Sequence, residues 1–381
     1  MALPNVVVIK ANLDQKGGLE KYTWELVRDI CTLGAPVTLL TTGRFTAPFS
    51  HPLLRIVCFS ISHSLSFMQL LHFDRACFHF LKNHPSPIVF GLDRTRRQTH
   101  IRAGNGVHAV YLKHRVKEEG KFKAWSFHLN PLHRVLLGIE KQAFEDPGLQ
   151  TLFTNSNMVR EEILAHYDVS PAKITVVHNG VEWHAMQPAF DNWQENKPHA
   201  LKKYGLNPSC FQFLFIGHNY KRKGLEKLLI ALSTLKDASF QLSVIGKEKD
   251  LAYFQQKAHA LHLSKQVFFF GPSKDILSFY QLADALIIPS LYDPFANVTV
   301  EALAMGLFVI SSRTNGGSEV LSKRSGIVIE DLDDPVSFAA SLQKALCLPK
   351  TENQSLFIRS SVRQLDFSNQ LRLITETLTK K

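Results

Sequence analysis

Asp293 and Glu301 lie eight positions apart in the stretch 290–311, SLYDPFANVTVEALAMGLFVIS. Residues 285–289 read as a strand before it, 298–305 as a short helix and 308–311 as a second strand. Asp293 then falls in the loop before the helix, and Glu301 in its first turns. Both can line one pocket at the carboxyl edge of a parallel sheet, where α/β proteins hold ligands. The backbone N–H groups of Asn297, Val298 and Thr299 would be the free donors of the helix N-terminus, a natural diphosphate site. Phosphate donors flanked by carboxylates that can hold hydroxyls suggest a nucleotide sugar. The bland alternative is a loop aspartate and a helix glutamate that are both merely solvated. Against it, Glu301 sits among Val298, Val300, Ala302, Leu303 and Ala304, a poor setting for an unpaired charge. Pro294 also stiffens the loop, and the whole unit lies between two core strands.

Four further groupings could carry chemistry. Residues 217–224, GHNYKRKG, follow a strand at 211–216 and open a helix, which puts Arg222 and Lys223 at a helix N-terminus. Cations oppose the dipole there, so an anionic ligand would offset the cost. On spacing alone, a solvated basic turn is an equal reading. Gly17 and Gly18 form a turn between strand and helix that would let the backbone approach a phosphate or sugar. The turn lacks the GxGxxG spacing of a dinucleotide site. Residues 102–108, RAGNGVH, put Asn105 and His108 beside a glycine turn at a strand end; with 17 histidines in the chain, composition favours a bystander role for His108. Residues 177–182, VHNGVE, read as a plain turn. Asp331, Asp333 and Asp334 read as a helix-cap region, not a metal-binding DxD, and no cysteine or histidine spacing suits a metal.

Strand and helix alternate throughout. Strands are expected at 6–10, 37–40, 87–91, 99–102, 152–155 and 173–178, then at 211–216, 240–245, 267–270, 285–289, 308–311 and 326–329. Helical periodicity marks 19–33, 131–146, 157–167, 225–235, 250–261, 275–283, 298–305, 336–346 and the tail from 352. Residues 56–73, uncharged but broken by serines and histidines, read as strand plus loop. Residues 179–200 read as a loop and hold the domain boundary. The pattern is α/β, with two Rossmann-like doubly wound parallel-sheet domains facing across a cleft: one at 1–183, a second at 184–360, and a C-terminal helix at 361–381 packing back on the first.

At 381 residues the chain is long enough for two domains. Its five cysteines are scattered and read as buried thiols of a reducing compartment. The N-terminal apolar run reads as a first strand, not a signal peptide, and no segment has the length and apolarity of a membrane span. The net charge of +11 is shared between the halves: 21 Lys and Arg against 15 Asp and Glu in residues 1–185, and 23 against 18 beyond. It peaks at 94–123, where Arg94, Arg96, Arg97, Arg102, Lys113, Arg115, Lys117, Lys121 and Lys123 face only Glu118 and Glu119. With Phe122, Trp125, Phe127 and Leu129 alongside, residues 94–129 suit an anionic membrane surface. The alternative is a solvated surface loop. A nucleic-acid partner is not expected, because the cations follow no single face and no recognition module is visible.

Taken together, Lys223-Gly224, the run from Asp293 to Gly306, and His178-Asn179-Gly180-Val181-Glu182 resemble the retaining GT-B glycosyltransferases with an acidic-x7-Glu motif, in particular the lipopolysaccharide core heptose α-glucosyltransferases. The resemblance implies the GT-B fold, with acceptor binding in the domain at 1–183 and nucleotide-sugar binding in that at 184–360, a UDP-hexose donor and a glycolipid or lipopolysaccharide core acceptor. It implies a metal-free reaction without cofactor, on the cytoplasmic face of the inner membrane. Glu301 would hold the ribose hydroxyls and Asp293, in place of the family's usual Glu, the donor sugar. Arg222 and Lys223 would hold the diphosphate, and Gly17 and Gly18 would lie near donor phosphate and acceptor. Residues 102–108 would lie near the anomeric carbon, with Asn105 where relatives often carry aspartate and His108 as the alternative polar group. His218 stands where the family often has arginine. Two competing readings are a nucleotide-sugar epimerase of the same two-domain shape and a basic nucleic-acid-binding protein.

Overall fold

The computed structural model describes residues 4–13, 18–43, 45–61, 65–235 and 238–379. The chain divides into two compact units, residues 1–177 with 370–381, and residues 178–369. In the first, β1 (Val6–Ile9), β2 (Val37–Thr42), β3 (Leu54–Phe59), β4 (Ile88–Gly91), β5 (His100–Arg102), β6 (Thr151–Thr154) and β7 (Ile174–Val176) form one sheet in the order β3-β2-β1-β4-β5-β6-β7. All its pairings are parallel. The four residues of β1 are buried, as a central strand covered on both faces requires.

The second unit repeats the plan with β8 (Phe211–Ile216), β9 (Phe240–Ile245), β10 (Val267–Gly271), β11 (Ala285–Ile288), β12 (Phe308–Ser312) and β13 (Gly326–Ile329), in the order β10-β9-β8-β11-β12-β13. Again every pair is parallel. Both units are Rossmann-like, and in each the strand order reverses beside the first strand: between β1 and β4, and between β8 and β11. Connections on either side of such a reversal leave in opposite directions, which opens a crevice at the carboxyl edge.

Several expectations need correction. The loop expected after β3 is largely a helix, Ser66–Asn83, whose Phe73, Cys77 and Leu81 are buried. Its serines and histidines obscured that spacing. Residues 179–200 are not a continuous loop. They hold the helices Gln187–Asp191 and Trp193–Tyr204, the second with Pro198 inside it, and bury Phe190, Trp193, Ala200 and Leu201 against the core. The tail is two helices, Glu352–Ser360 and Phe367–Thr379. Only Cys31 and Cys77 are buried; Cys58 and Cys347 are exposed and Cys210 is intermediate.

The basic stretch is paired in part. Arg94 is bound to buried Glu140 at 2.9 Å, Arg96 to buried Asp74 at 2.6 Å and Arg115 to Glu119 at 2.6 Å. Arg102 stacks on the Tyr22 ring at 4.3 Å. Three of the nine cations counted in that stretch therefore have carboxylate partners within the fold, and a fourth lies over a ring. The side chains of Lys121, Phe122 and Lys123 lie outside those described.

Candidate active site

Two loops meet at the carboxyl edge where β8 and β11 adjoin. After β8 the chain turns through Asn219 (φ 57°), whose Oδ1 accepts from the Arg222 N–H at 3.1 Å. The loop ends at Gly224 (φ 76°), directly before the helix Leu225–Ser233. A Cβ at Gly224 would lie 1.9 Å from the Pro289 carbonyl oxygen, so only glycine lets this loop press against the end of β11. The Leu291 N–H donates to the Arg222 carbonyl at 2.9 Å and fastens the two loops together.

That contact brings Arg222, Lys223 and Asp293 together. Lys223 Nζ donates to Asp293 Oδ2 at 2.7 Å, and Arg222 Nη1 donates to the same oxygen at 3.0 Å and to the Tyr292 carbonyl at 3.1 Å. Oδ1 accepts from the Phe295 N–H at 3.2 Å. Asp293 and Lys223 are 7% and 8% exposed. Burial pushes the Asp293 carboxyl up, but the charges of Lys223 and Arg222 outweigh it and hold the group below its ordinary range. The result is two cations on one carboxylate, with Lys223 and Asp293 buried and Arg222 at the solvent edge.

Glu301 sits on the helix Asn297–Ala304. Its Oε2 accepts from the Tyr280 hydroxyl at 2.7 Å, and that tyrosine is 1% exposed. Burial raises the Glu301 pKa; the Tyr280 hydrogen bond and the nearby Lys223 charge oppose the rise without cancelling it. Of the three amides expected free at this helix N-terminus, Thr299 is not, because its N–H donates to the Ala296 carbonyl at 3.0 Å in a tightened first turn. Asn297 and Val298 keep theirs unpaired among the described residues.

The loop after β12 completes the site, and the sequence reading missed it. Asn315 Oδ1 accepts from the N–H groups of Ala296 at 2.9 Å and Gly317 at 3.1 Å. Its Nδ2 donates to Thr299 Oγ1 at 3.1 Å and Ser311 Oγ at 2.9 Å. Asp293 is tied to the same loop through its N–H to Thr314 and its carbonyl from Gly316, both at 2.9 Å. The Asn-Gly-Gly run directly after a predicted strand was the available signal. Residues 177–182 are also more than a plain turn. Asn179 Nδ2 donates to Asn297 Oδ1 at 2.8 Å, and His178 lies 3.1 Å from Glu319 and against the Phe295 ring. His218 accepts from the Lys247 N–H through Nδ1 at 2.8 Å, so it anchors the neighbouring loop after β9.

In the first unit Asn105 is exposed and His108 buried. The His108 amide donates to Glu140 at 2.9 Å, and its Nε2 lies 3.1 Å from His133 Nδ1. Burial, then Arg94 and His133, bring the imidazole down to about 4, so it is neutral at pH 7 and already hydrogen-bonded. Gly18 begins the helix Gly18–Thr32, while Gly17 lies outside the described residues. At the reversal beside β1, the sequence reading also passed over Lys10 and Asp93, which pair at 3.2 Å. Among the described residues no three His, Cys, Asp or Glu side chains converge as a metal site would need, and no helix is long and apolar enough to cross a membrane.

An uncharacterized glycosyltransferase of Methanocaldococcus jannaschii is 26% identical over 202 residues, 51% of this chain and 50% of that one. A D-inositol 3-phosphate glycosyltransferase of Corynebacterium kroppenstedtii is 28% identical over 207 residues, 51% and 45%. The chain thus spans about half the length of the curated relatives it matches. Among solved structures, WaaG, a glycosyltransferase involved in lipopolysaccharide biosynthesis, superposes with a TM-score of 0.75 at 18% identity, over 99% of this chain and 100% of that one. Anabaena HepE, in complex with UDP and glucose, gives 0.68 at 14%, over 98% and 99%. At these identities the superpositions speak for the fold. Residues 16–183 match the family model Glycosyltransferase Family 4 and residues 196–355 the model Glycosyl transferases group 1. With one family model on each unit and the two-sheet fold of the solved relatives, the chain belongs to the glycosyltransferases of GT-B fold.

Proposed function

We propose that the protein is a retaining, metal-independent hexosyltransferase that moves a sugar, glucose in the first instance, from a UDP-sugar to a glycolipid or lipopolysaccharide core sugar. The observation that carries this reading is the triad at the β8/β11 reversal: two cations converge on one buried carboxylate beside a helix N-terminus. Arg222 is 33% exposed at its side chain and uses only Nη1 in the contacts described, so it has donors left for a diphosphate. Lys223 and the amides of Asn297 and Val298 add to them. In the reaction the bond between the anomeric carbon and the diphosphate oxygen breaks, and its electron pair leaves with the diphosphate. Positive charge develops on the sugar and negative charge on the leaving group, which the fixed cations stabilise without reorganising. The acceptor hydroxyl attacks from the face the diphosphate leaves, and its proton passes to a donor phosphate oxygen. Asp293 holds sugar hydroxyls and Glu301 the ribose. Asn105 and His108 belong to the proposed acceptor side, with His108 neutral, and Gly17 and Gly18 lie near donor phosphate and acceptor.

UDP-hexose turnover by Arg222→Ala and Lys223→Ala tests the reading. Each variant should lose about 100-fold or more in kcat/KM, the scale of removing one preorganised charge stabiliser. Activity surviving both substitutions would exclude the diphosphate role. Thermal shift with a panel of UDP- and GDP-sugars identifies the donor, since a ligand that binds the folded state raises its melting temperature. Turnover of UDP-sugar without added acceptor would favour the epimerase reading.

Membrane attachment is part of the same proposal, and two residues favour it. Trp125 and Leu129, one turn apart on the helix Lys121–Leu129, are 71% and 59% exposed. An exposed tryptophan above a leucine suits the interfacial region of a bilayer. Co-sedimentation should be stronger with anionic than with neutral vesicles and should weaken with salt; equal binding to neutral vesicles would remove the electrostatic part.

A further inference from the structure

We infer that Tyr280 is a positioning residue for donor binding, acting through Glu301; the inference rests on the ribose role proposed for that glutamate. Tyr280 lies on the helix Ile276–Leu282, between Phe279 and Leu282, both at 0% exposure, in a setting where a phenylalanine would pack equally well. Its hydroxyl finds a partner in Glu301, donating to Oε2 at 2.7 Å. That bond does two things. It fixes the rotamer of a carboxylate that would otherwise be free to turn on an apolar helix, and it occupies one oxygen so that the other is left to accept from a ligand hydroxyl. It also favours the ionised form of a half-buried acid. A hydrogen-bond donor toward a charged carboxylate opposes the desolvation that pushes the group toward its neutral form.

The helix carrying Tyr280 is itself fixed. Gln281 Nε2 donates to the Ala189 carbonyl at 2.7 Å, and Lys350 Nζ lies 3.4 Å from the Tyr280 carbonyl. The hydroxyl therefore presents a preset position to Glu301 and does not follow it.

The test is UDP binding by calorimetry, and UDP-hexose kinetics from pH 5 to 9, for the full chain carrying Tyr280→Phe or Glu301→Gln. Tyr280→Phe should weaken UDP and raise donor KM by about tenfold, the lower end for a hydrogen bond to a charged group, with kcat changed less than about twofold. The acidic limb of kcat/KM should move to higher pH, because Glu301 loses the donor that favours its charge. A structural role alone would lower the melting temperature and kcat without moving that limb. If Glu301→Gln weakens UDP while Tyr280→Phe leaves both KM and the limb in place, the positioning role is overturned and the ribose role stands. If Glu301→Gln leaves UDP affinity unchanged, the underlying donor reading falls.

Discussion

Asp293→Asn keeps the shape of the side chain and removes the one negative charge that Lys223 and Arg222 share. Lys223 is 8% exposed, so the substitution leaves a buried ammonium beside a second cation. Breaking a buried pair from one side costs about 3–5 kcal/mol. Arg222 reaches solvent, and the asparagine carbonyl can still accept one hydrogen bond, which points to the lower end, about 3 kcal/mol. For a unit of this size each kcal/mol moves the midpoint by roughly 2–4 °C, so the transition of residues 178–369 should fall by about 6–12 °C. Scanning calorimetry suits the measurement because two units need not unfold in one step. Glu330→Gln supplies the control: its partner Arg313 is 74% exposed, and such a pair is worth about 0–1 kcal/mol. Lys223→Met with Asp293→Asn should recover about 2 kcal/mol relative to Asp293→Asn alone, since no buried amine is left unpaired.

The same variant separates stability from binding. With Asp293 neutral, both cations are released from their internal partner, so UDP should bind more tightly although transfer is lost. A transition that falls no further than the control would refute the buried triad. Weaker UDP binding would refute the assignment of both cations to the diphosphate.

Gly224→Ala places a Cβ 1.9 Å from the Pro289 carbonyl oxygen at φ 76° and should cost about 3 kcal/mol or more, with loss of UDP binding. Gly205→Ala, at φ 66° with nothing within 4 Å, should cost only about 1 kcal/mol in the same calorimetric scan. His100 is 4% exposed, and burial lowers its pKa from 6.5 to about 4. The unfolded state then binds the extra proton between those values, so the first unit should lose about 2–3 kcal/mol as pH falls from 6.5 to 4 and none from this group above 6.5. Urea titrations of His100→Gln should lack that contribution. Lys350 is buried against the Trp193 ring at 4.3 Å, and burial, then Lys197, hold its amine well below the ordinary value. Its charging penalty is present below the folded pKa and fades as pH rises toward 10.5. Lys350→Met should therefore be neutral or stabilising by about 1–2 kcal/mol at pH 7, with the advantage shrinking in alkali.

Alternation of apolar runs with helical periodicity made both sheets legible, because central parallel strands such as β1, β9 and β11 are buried on both faces and must be apolar throughout. The Asp293–Glu301 spacing and the basic turn at 217–224 were legible for a related reason: both flank such strands. Less visible was what depended on partners distant in sequence. The helix Ser66–Asn83 interrupts its apolar positions with exposed serine, glutamine and histidine, and the helix Trp193–Tyr204 contains a proline; tertiary burial of Phe73 in the one and Trp193 in the other decides both. The count of cations at 94–123 does not include the carboxylates that reach two of them from afar, Asp74 and Glu140. Asn315 escaped notice because asparagine before two glycines looks like a turn until its amide is seen to join four groups.

The carboxylate at position 293 follows from the same electrostatics. A buried Lys223 and a partly exposed Arg222 side by side repel one another, so a carboxylate between them offsets that cost within the protein itself. Aspartate supplies that charge as well as glutamate would, and from 2.7 Å it holds Lys223 directly. Its shorter side chain limits how far the carboxylate reaches beyond the cations toward a sugar. Charge balance therefore fixes the acidity of this position and leaves its length open. In the proposed reaction, the short side chain at 293 bears on which sugar is accepted more than on whether a diphosphate is held.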